Sequence, residues 1–265
     1  MKKFLINKFS NTKIFVSISS NPGIVGTVFY NNIFEKLKLN MIYRAIRPTN
    51  LKKFFISLKE VGINGCSVSM PFKDKVIKYL DKVDPVCIKT NAVNTIVNNN
   101  GKLLGYNCDF LAIKKIFQIY KINKNHKLLI FGTGSVARIL IYLLKKSRFT
   151  NFRIIGRNLT KIKKIEKEYN FKNKNYDKYD ILINASPLGM RGFEQKIPFT
   201  KKIICDSILV IDYVNKPTNT KLIKFAKKNK INFCTGLEIS AHQLSYQFKL
   251  YTGIKLHSKY FDSLN

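Results

Sequence analysis

The sequence is short of cysteine and of long apolar runs, and each shortage excludes a class of protein. Its five cysteines are scattered, odd in number and without a CxxC pair. This pattern argues against a disulfide framework or a zinc site and favours reduced cytoplasmic thiols. No apolar run approaches the roughly 18–20 residues that a membrane helix needs. The three histidines (His126, His242, His257) form no metal-ligand spacing, so we expect no metal.

The first residues resemble a secretory signal only briefly. The opening MKKFLI is basic and then apolar, but Asn7 and Lys8 end the apolar stretch. No hydrophobic segment of signal-peptide length remains. We therefore predict a cytoplasmic protein without a membrane partner.

Acidic residues are also scarce: 15 Asp and Glu stand against 48 Lys and Arg, a net charge of +33. Such an excess of positive charge is typical of nucleic-acid-binding proteins. Here, however, the lysines are spread along the whole chain together with many Asn and Ile, which A+T-rich codons encode. Genome composition therefore explains the charge, and we predict no specific nucleic-acid partner.

The 265 residues, 45% of them hydrophobic, are enough for two modest α/β domains. In the first hundred residues, the pattern predicts strands at 13–19, 40–46, 65–70, 92–97 and 102–106. It predicts helices at 27–37 and 51–61 and a short one ending near Leu80. Farther on it predicts strands at 179–184, 207–212 and 231–234, and helices at 109–120, 160–169, 220–230 and 239–251.

Residues 128–155 form the most informative stretch. An apolar run, Leu128–Phe131, leads into the glycine loop GTGSVA, which is followed by a helical pattern and a second apolar run, Phe152–Ile155. This order is that of a dinucleotide-binding βαβ unit, in which the loop and the helix N-terminus hold a pyrophosphate. A structural glycine turn is the alternative. The predicted cofactor residues are Gly132, Gly134, Ser135, Val136 and Ala137.

The end of the second strand suggests which dinucleotide binds. Sites for NAD usually carry Asp or Glu there, whereas this chain has Arg157. A cation suits the 2′-phosphate of NADP, so NADP is the predicted cofactor. The alternative is that Arg157 is one more surface cation.

Three polar clusters lie at predicted strand or hairpin ends. Ser67 and Ser69 precede Lys73, Asn91 and Asn94 form a second cluster, and Asn107 and Asp109 form a third. Taken singly, each has a structural interpretation: a solvated lysine, turn asparagines and an aspartate that caps a helix.

Together these segments resemble the shikimate dehydrogenase family. The matching segments follow the family order and span about residues 15–255: SMPFK (69–73), NAVNTIV (91–97), YNCD (106–109), GTGSVA (132–137), NASPLGM (184–190) and GLEISAHQLSYQFKLYTG (236–253). The resemblance implies a mixed α/β substrate domain and a Rossmann-type NADP domain with a cleft between them. We place the first at 1–109, completed by a C-terminal helix at 239–265, and the second at 110–238.

The resemblance also implies residue roles. Lys73 and Asp109 are the expected catalytic pair, and Ser69, Asn94, Asp109 and Gln243 are expected to contact substrate hydroxyls. Arg157, Asn158 and Lys161 are expected to bind the cofactor, with Tyr213 and Gly236 near the nicotinamide. A ketone oxygen gains negative charge during hydride transfer, which a lysine ammonium stabilises and then protonates.

The chain departs from the family at two positions. The usual Ser-x-Ser pair for the substrate carboxylate is replaced by NPGIVGT at 21–27, so Thr27 is the main candidate, with Ser19 or Ser20 as alternatives; Thr27 is either a carboxylate ligand or a helix cap. Asn215 stands where the family has tyrosine. Both changes resemble a divergent branch of the family.

We expect reversible NADP-dependent reduction of 3-dehydroshikimate by a monomer or homodimer. Quinate or a related polyol carboxylate is the alternative substrate, and a catalytically inactive nucleotide-binding protein is a second alternative.

Overall fold

The computed structural model describes residues 11–257 and 260. The signal-like opening MKKFLI therefore lies outside the described residues. The chain divides into two compact units, residues 1–108 with 245–265 and residues 109–244. Among the described helices, none is long and apolar enough to cross a membrane.

The first unit is built on a six-stranded mixed sheet of order β2-β1-β3-β5-β6-β4. Strand β1 pairs in parallel with β2 and β3, whereas β5 pairs antiparallel with β3 and β6. One core cluster on this sheet includes Val16, Ile18, Cys66, Ile96 and Leu103. The strands are β1 (Lys13–Ile18), β2 (Met41–Ile46), β3 (Gly65–Val68), β4 (Lys82–Val83), β5 (Thr95–Asn99) and β6 (Lys102–Tyr106).

The helices of the first unit differ from the predicted ones mainly at their ends. They are α1 (Val25–Lys36), α2 (Leu51–Glu60) and α3 (Pro85–Thr90), with a 3₁₀ turn at Ile77–Tyr79 where a short helix was predicted. The hairpin between β5 and β6 was predicted correctly. Its Asn100 and Gly101 have φ angles of 51° and 84°, as a tight hairpin turn requires.

The second unit is built on a five-stranded parallel sheet of order β11-β10-β9-β7-β8. In chain order this is 2-1-3-4-5, a doubly wound arrangement whose strand order reverses beside β7. Ligands of such sheets bind outside the carboxyl ends of the strands at that reversal. The strands are β7 (Leu128–Phe131), β8 (Phe152–Ile155), β9 (Ile181–Asn184), β10 (Leu209–Asp212) and β11 (Asn232–Cys234).

Amphipathic helices accompany this sheet. The buried residues of helix α5 are Ala137, Ile139, Leu140, Ile141, Leu143 and Leu144. A core cluster on the sheet includes Leu129, Leu182, Val210 and Leu222. The helices are α4 (Cys108–Ile119), α5 (Ser135–Lys146), α6 (Leu159–Glu168), α7 (Lys201–Cys205), α8 (Lys221–Lys228) and α9 (Gly236–Thr252).

The predicted C-terminal helix at 239–265 was wrong in its bounds. Helix α9 begins at Gly236 and ends at Thr252, and residues 253–257 are not helical. Residues 258, 259 and 261–265 lie outside the described part of the chain. Residues of α9 up to Leu244 belong to the second unit and those from Ser245 to the first.

Candidate active site

The glycine loop of the second unit lies where the strand order reverses. Gly132 follows β7 with a φ angle of +135°. A Cβ atom built on Gly132 would lie 2.5 Å from the carbonyl oxygen of Ala185, which follows β9. Only glycine accommodates both this φ angle and this close approach. Gly132 therefore lets the loops after β7 and β9 meet at the ligand-binding edge of the sheet.

The start of α5 fits an anionic ligand. Gly134 is its N-cap and supplies no side-chain hydrogen bond to the first turn. A Cβ built on Gly134 would meet nothing within 4 Å, so the space beside the loop is open. The N–H groups of Ser135, Val136 and Ala137 belong to the first turn, which a helix cannot satisfy internally. A pyrophosphate is the kind of group that such a terminus accepts.

The segment after β8 combines a cation with a helix cap. Arg157 is exposed directly after the end of the strand. The Asn158 side chain accepts a hydrogen bond from the Lys161 backbone N–H at 2.8 Å and so caps α6. The Asn158 oxygen therefore has a structural function, whereas Arg157, just before α6, and Lys161, in its first turn, are both exposed.

A buried polar cluster that sequence reasoning missed lies at the ends of β9 and β10. Asp212 is 0% exposed and accepts hydrogen bonds from Thr220 Oγ1 (2.6 Å), Asn184 Nδ2 (2.9 Å) and Val214 N (3.0 Å). Burial raises the pKa of the Asp212 carboxyl. The Asn184 Oδ1 atom in turn accepts from the Ser186 hydroxyl at 2.7 Å. The only signal in the sequence was that both residues end strongly apolar runs.

This cluster fixes the loop that carries Tyr213. The Tyr213 N–H donates to the Asn184 carbonyl at 3.0 Å. Burial, and then the neighbouring Cys234 and Asp109 side chains, raise the pKa of the Tyr213 phenol, which therefore stays protonated and able to donate. Gly236 packs so closely on the Val214 carbonyl that a Cβ atom there would overlap it. Within the second unit, the structure thus brings Tyr213 near Asp109, and Gly236 against the residue that follows Tyr213.

In the first unit, backbone hydrogen bonds gather three of the predicted residues. The Val93 N–H donates to the Lys73 carbonyl and the Val68 N–H donates to the Asn94 carbonyl, both at 2.8 Å. Ser69, which follows Val68, donates its own N–H to Ile18 at 2.9 Å. Ser69, Lys73 and Asn94 therefore lie at one end of the sheet, Ser69 exposed, Lys73 half-buried and Asn94 buried.

The Asn94 side chain has a fixed orientation. Its Oδ1 atom accepts from the Cys108 N–H and from Thr95 Oγ1, both at 2.8 Å. A backbone N–H can only donate, so the atom facing Cys108 is the oxygen and Nδ2 is the remaining donor. Asn91 and Asn107 are structural: Asn91 ends α3 with a φ angle of 49°, and Asn107 Nδ2 donates to the Ala92 carbonyl at 2.8 Å.

The interpretation of Thr27 as a helix cap was wrong. Helix α1 starts at Val25, and its N-cap is Ile24, which makes no side-chain hydrogen bond. Thr27 is the third residue of the helix, and its Oγ1 atom is buried without a hydrogen-bond partner among the described residues. A buried hydroxyl without a partner is costly. The observation favours a ligand-binding role for Thr27.

The remaining predicted residues lie in the second unit. Asp109 is the second residue of α4 rather than its N-cap, and it directly follows Cys108 along the chain. Gln243 lies half-buried on α9. Among the described residues, no group of three or more His, Cys, Asp and Glu side chains is arranged to hold a metal ion.

Comparison with known proteins places this arrangement in a family. Residues 19–96 match the profile described as "Shikimate dehydrogenase substrate binding domain". The chain is 34% identical to the "Shikimate dehydrogenase-like protein" of Haemophilus influenzae, over 94% of this chain and 93% of that protein. It is 30% identical to the "Shikimate dehydrogenase (NADP(+))" of Caldanaerobacter subterraneus subsp. tengcongensis, over 92% of this chain and 93% of that protein.

A solved structure agrees with the sequence comparison. A shikimate 5-dehydrogenase-like protein superposes with a TM-score of 0.91 at 32% identity, over 96% of this chain and 97% of that one. The similarity thus extends over both units and includes the glycine loop of the second. With this identity and coverage, the chain belongs to the shikimate dehydrogenase family of NADP-dependent oxidoreductases.

Proposed function

We propose that the protein catalyses the reversible NADP-dependent reduction of 3-dehydroshikimate to shikimate. The observation that carries the proposal is the gathering of Ser69, Lys73 and Asn94 through the backbone bonds of Lys73 to Val93 and of Asn94 to Val68. These three residues share one end of a sheet, and their ammonium, hydroxyl and amide groups are a set suited to a small polyhydroxylated ring. The name of the relative from Caldanaerobacter, which specifies NADP, supports the cofactor.

Lys73 is the proposed proton donor. Reduction of the ketone places negative charge on its oxygen, and an ammonium within hydrogen-bond reach stabilises that charge and then transfers a proton. In the reverse direction the neutral amine accepts the proton from the substrate hydroxyl. Asp109 is proposed as the second catalytic residue, which accepts a hydrogen bond from a ring hydroxyl. The Ser69 hydroxyl and the amides of Asn94 and Gln243 are proposed to bind the other hydroxyls.

The second unit is proposed to hold the cofactor and the first to bind the substrate. Gly132, Gly134 and the first turn of α5 (Ser135, Val136, Ala137) would bind the pyrophosphate, and Arg157 with Asn158 and Lys161 the 2′-phosphate. Tyr213 and Gly236 would lie against the nicotinamide. When bound, NADPH supplies the hydride.

Thr27 is the proposed ligand of the substrate carboxylate, because its buried Oγ1 has no partner among the described residues. Thr27 offers one hydroxyl where the family usually carries two serines. We therefore expect fewer hydrogen bonds to the substrate carboxylate than in the family. Quinate or a related cyclic polyol carboxylate is the alternative substrate.

The decisive experiment is a substrate panel followed by NADPH absorbance, with shikimate and quinate side by side. Turnover of shikimate with NADP supports the proposal. Preferential turnover of quinate would show that quinate, rather than shikimate, is the substrate. If no polyol carboxylate is turned over, the result would favour a nucleotide-binding protein without catalytic activity.

The role of Lys73 is tested by a matched pair of variants. Lys73→Ala should lower kcat by about two to four orders of magnitude, the usual contribution of a positioned acid or base. Lys75→Ala removes an exposed lysine from the same turn and should leave kcat unchanged. A kcat near the wild-type value in Lys73→Ala would remove Lys73 from the mechanism.

A further inference from the structure

Gln247 lies on α9 within the first unit and is 2% exposed. Its Oε1 atom accepts from Tyr30 OH (2.6 Å) and Ser67 Oγ (2.9 Å). Its Nε2 atom donates to Thr95 Oγ1 (2.7 Å) and to the Asn94 carbonyl (3.3 Å). A carbonyl oxygen can only accept, so the end of the amide that faces Asn94 must be the NH₂ group. The orientation of the Gln247 amide is therefore determined.

Thr95 passes this orientation to Asn94. Its hydroxyl, which is 0% exposed, accepts a hydrogen bond from Gln247 Nε2 and can donate one hydrogen bond of its own. Two acceptors lie near: Asn94 Oδ1 at 2.8 Å and Cys108 Sγ at 3.3 Å. Sulfur is the weaker acceptor, so the proton points to Asn94. Hydrogen bonds thus run in one direction from Gln247 through Thr95 to Asn94 Oδ1.

We propose that Gln247 and Thr95 are positioning residues that orient the Asn94 amide toward the substrate. With Oδ1 held by Thr95 and Cys108, Asn94 presents Nδ2, a donor, to the ligand. The group bound there is therefore a substrate oxygen that acts as an acceptor. The inference rests on the proposed function, in which Asn94 contacts a ring hydroxyl.

The rest of the network explains why Gln247 itself does not rotate. Ser67 receives hydrogen bonds from Tyr43 OH (2.7 Å) and, because the single Ser67 proton goes to Gln247, also from Tyr251 OH (3.0 Å). Burial raises the pKa of both Tyr43 and Tyr251, so each phenol keeps its proton. Ser67 is thereby committed as a donor to Gln247 Oε1. The bond from Tyr43 alone is enough to commit Ser67 in this way, and the chain of hydrogen bonds from Gln247 ends on Asn94.

The test compares two substitutions at Thr95. Thr95→Val keeps the shape and removes the hydroxyl, whereas Thr95→Ser keeps the hydroxyl. Thr95→Val should raise the KM for shikimate about tenfold, as expected for one lost hydrogen bond, with the KM for NADP unchanged. Thr95→Ser should behave as wild type. Tyr251→Phe removes a bond at the far edge of the network and should lower Tm while leaving both KM values unchanged.

A readout without turnover separates this inference from the proposed function. In ¹⁵N-labelled protein, the Asn94 side-chain amide signals should move in Thr95→Val and stay in Thr95→Ser, whatever the substrate is. If Thr95→Val fails to fold, Gln247→Met provides the same comparison against Gln247→Asn. If the wild type does not turn over shikimate but the Asn94 signals shift in Thr95→Val, the proposed substrate is refuted while the positioning of Asn94 through Thr95 is supported. Unmoved Asn94 signals in Thr95→Val, or an equal rise of the shikimate KM in Tyr251→Phe, would overturn this positioning.

Discussion

The Asp212 cluster offers a prediction whose magnitude follows from the structure. Thr220 has two functions: its Oγ1 accepts from the Ile223 N–H at 3.2 Å, which caps α8, and it donates to the buried Asp212 carboxylate at 2.6 Å. Thr220→Val loses both. A lost cap costs about 1 kcal/mol, and a lost hydrogen bond to a charged group about 1.5–3 kcal/mol. We expect the free energy of unfolding to fall by about 2.5–4 kcal/mol.

A second threonine in the same unit provides the control. Thr200 caps α7 by accepting from the Ile203 N–H at 3.4 Å, and it is exposed. Thr200→Val therefore removes a cap alone and should cost about 1 kcal/mol or less. Thr220→Ser keeps both bonds of Thr220 and should lie close to wild type. The difference between the two valine variants isolates the bond to Asp212.

Urea denaturation at pH 8 measures these differences. Both substitutions lie in the unit of residues 109–244, so they report on the same unfolding transition. If Thr220→Val costs no more than about 0.5 kcal/mol beyond Thr200→Val, the Asp212 bond contributes less than the general range for charged partners. The cluster would then not be what holds the loop after β10.

Three further predictions concern the candidate site and acid stability. Arg157→Ala should raise the KM for NADP and leave NAD kinetics nearly unchanged, because a guanidinium binds a 2′-phosphate bidentately; equal losses with both cofactors would contradict this. Thr27→Val should raise the KM for shikimate about tenfold to a hundredfold while Tm stays equal or rises, since a buried hydroxyl without a described partner is removed; an unchanged KM would make Thr27 a bystander. Burial lowers the pKa of His242 below its ordinary value of 6.5, so the unfolded chain binds a proton that the folded protein resists. The free energy of unfolding should therefore fall as the pH drops below about 6.5, and less steeply in His242→Gln; parallel urea series at pH 7.5 and 5.5 that give equal declines would refute this.

Elements with a strong local signal were predictable from sequence. The glycine loop was predictable because its spaced glycines lie between two apolar runs. The Asn-Gly pair likewise indicates the hairpin between β5 and β6. The start of α1 had no such signal, because Ile24 occupies the N-cap without a hydrogen bond and the first helical residues are Val25 and Gly26. Thr27 is the nearest residue of a type that caps helices, so the helix was predicted to start at 27 rather than at Val25.

Two short elements were missed although their signals were present. Helix α3 has Asp84 at its N-cap, accepting from the Val86 N–H at 2.8 Å, and Pro85 directly after it. Helix α7 has Thr200 in the same position. Both helices are too short to show a helical repeat of hydrophobic residues, so the capping residues are their main signal in the sequence. Strand β4, two residues long, has no local pattern, and its pairing with β6 is decided by tertiary packing.

The candidate site divides in the same way. Lys73, Asn94 and the glycine loop lie in segments whose residue types are chemically distinctive. Gln247 and Thr95 also lie in matching segments, but a glutamine in a helix and a threonine in a strand are ordinary residue types that suggest no role by themselves. Their importance comes from a contact between positions 152 residues apart in the chain, which no local pattern encodes.

Both units use buried polar groups rather than apolar packing at the point where chemistry is proposed. In the second unit the cluster is closed: Asp212 accepts from Thr220, Asn184 and Val214 and is 0% exposed. In the first unit it is open, because the chain of bonds from Gln247 ends on a side chain that keeps a donor. A satisfied buried network selects one geometry but rarely adds stability over apolar residues of equal shape. The closed cluster should therefore affect Tm when broken, whereas the open one should affect the shikimate KM. Thr220→Val and Thr95→Val, measured side by side for both quantities, test that distinction, and a loss of the same kind in both variants would show that the two clusters do the same job.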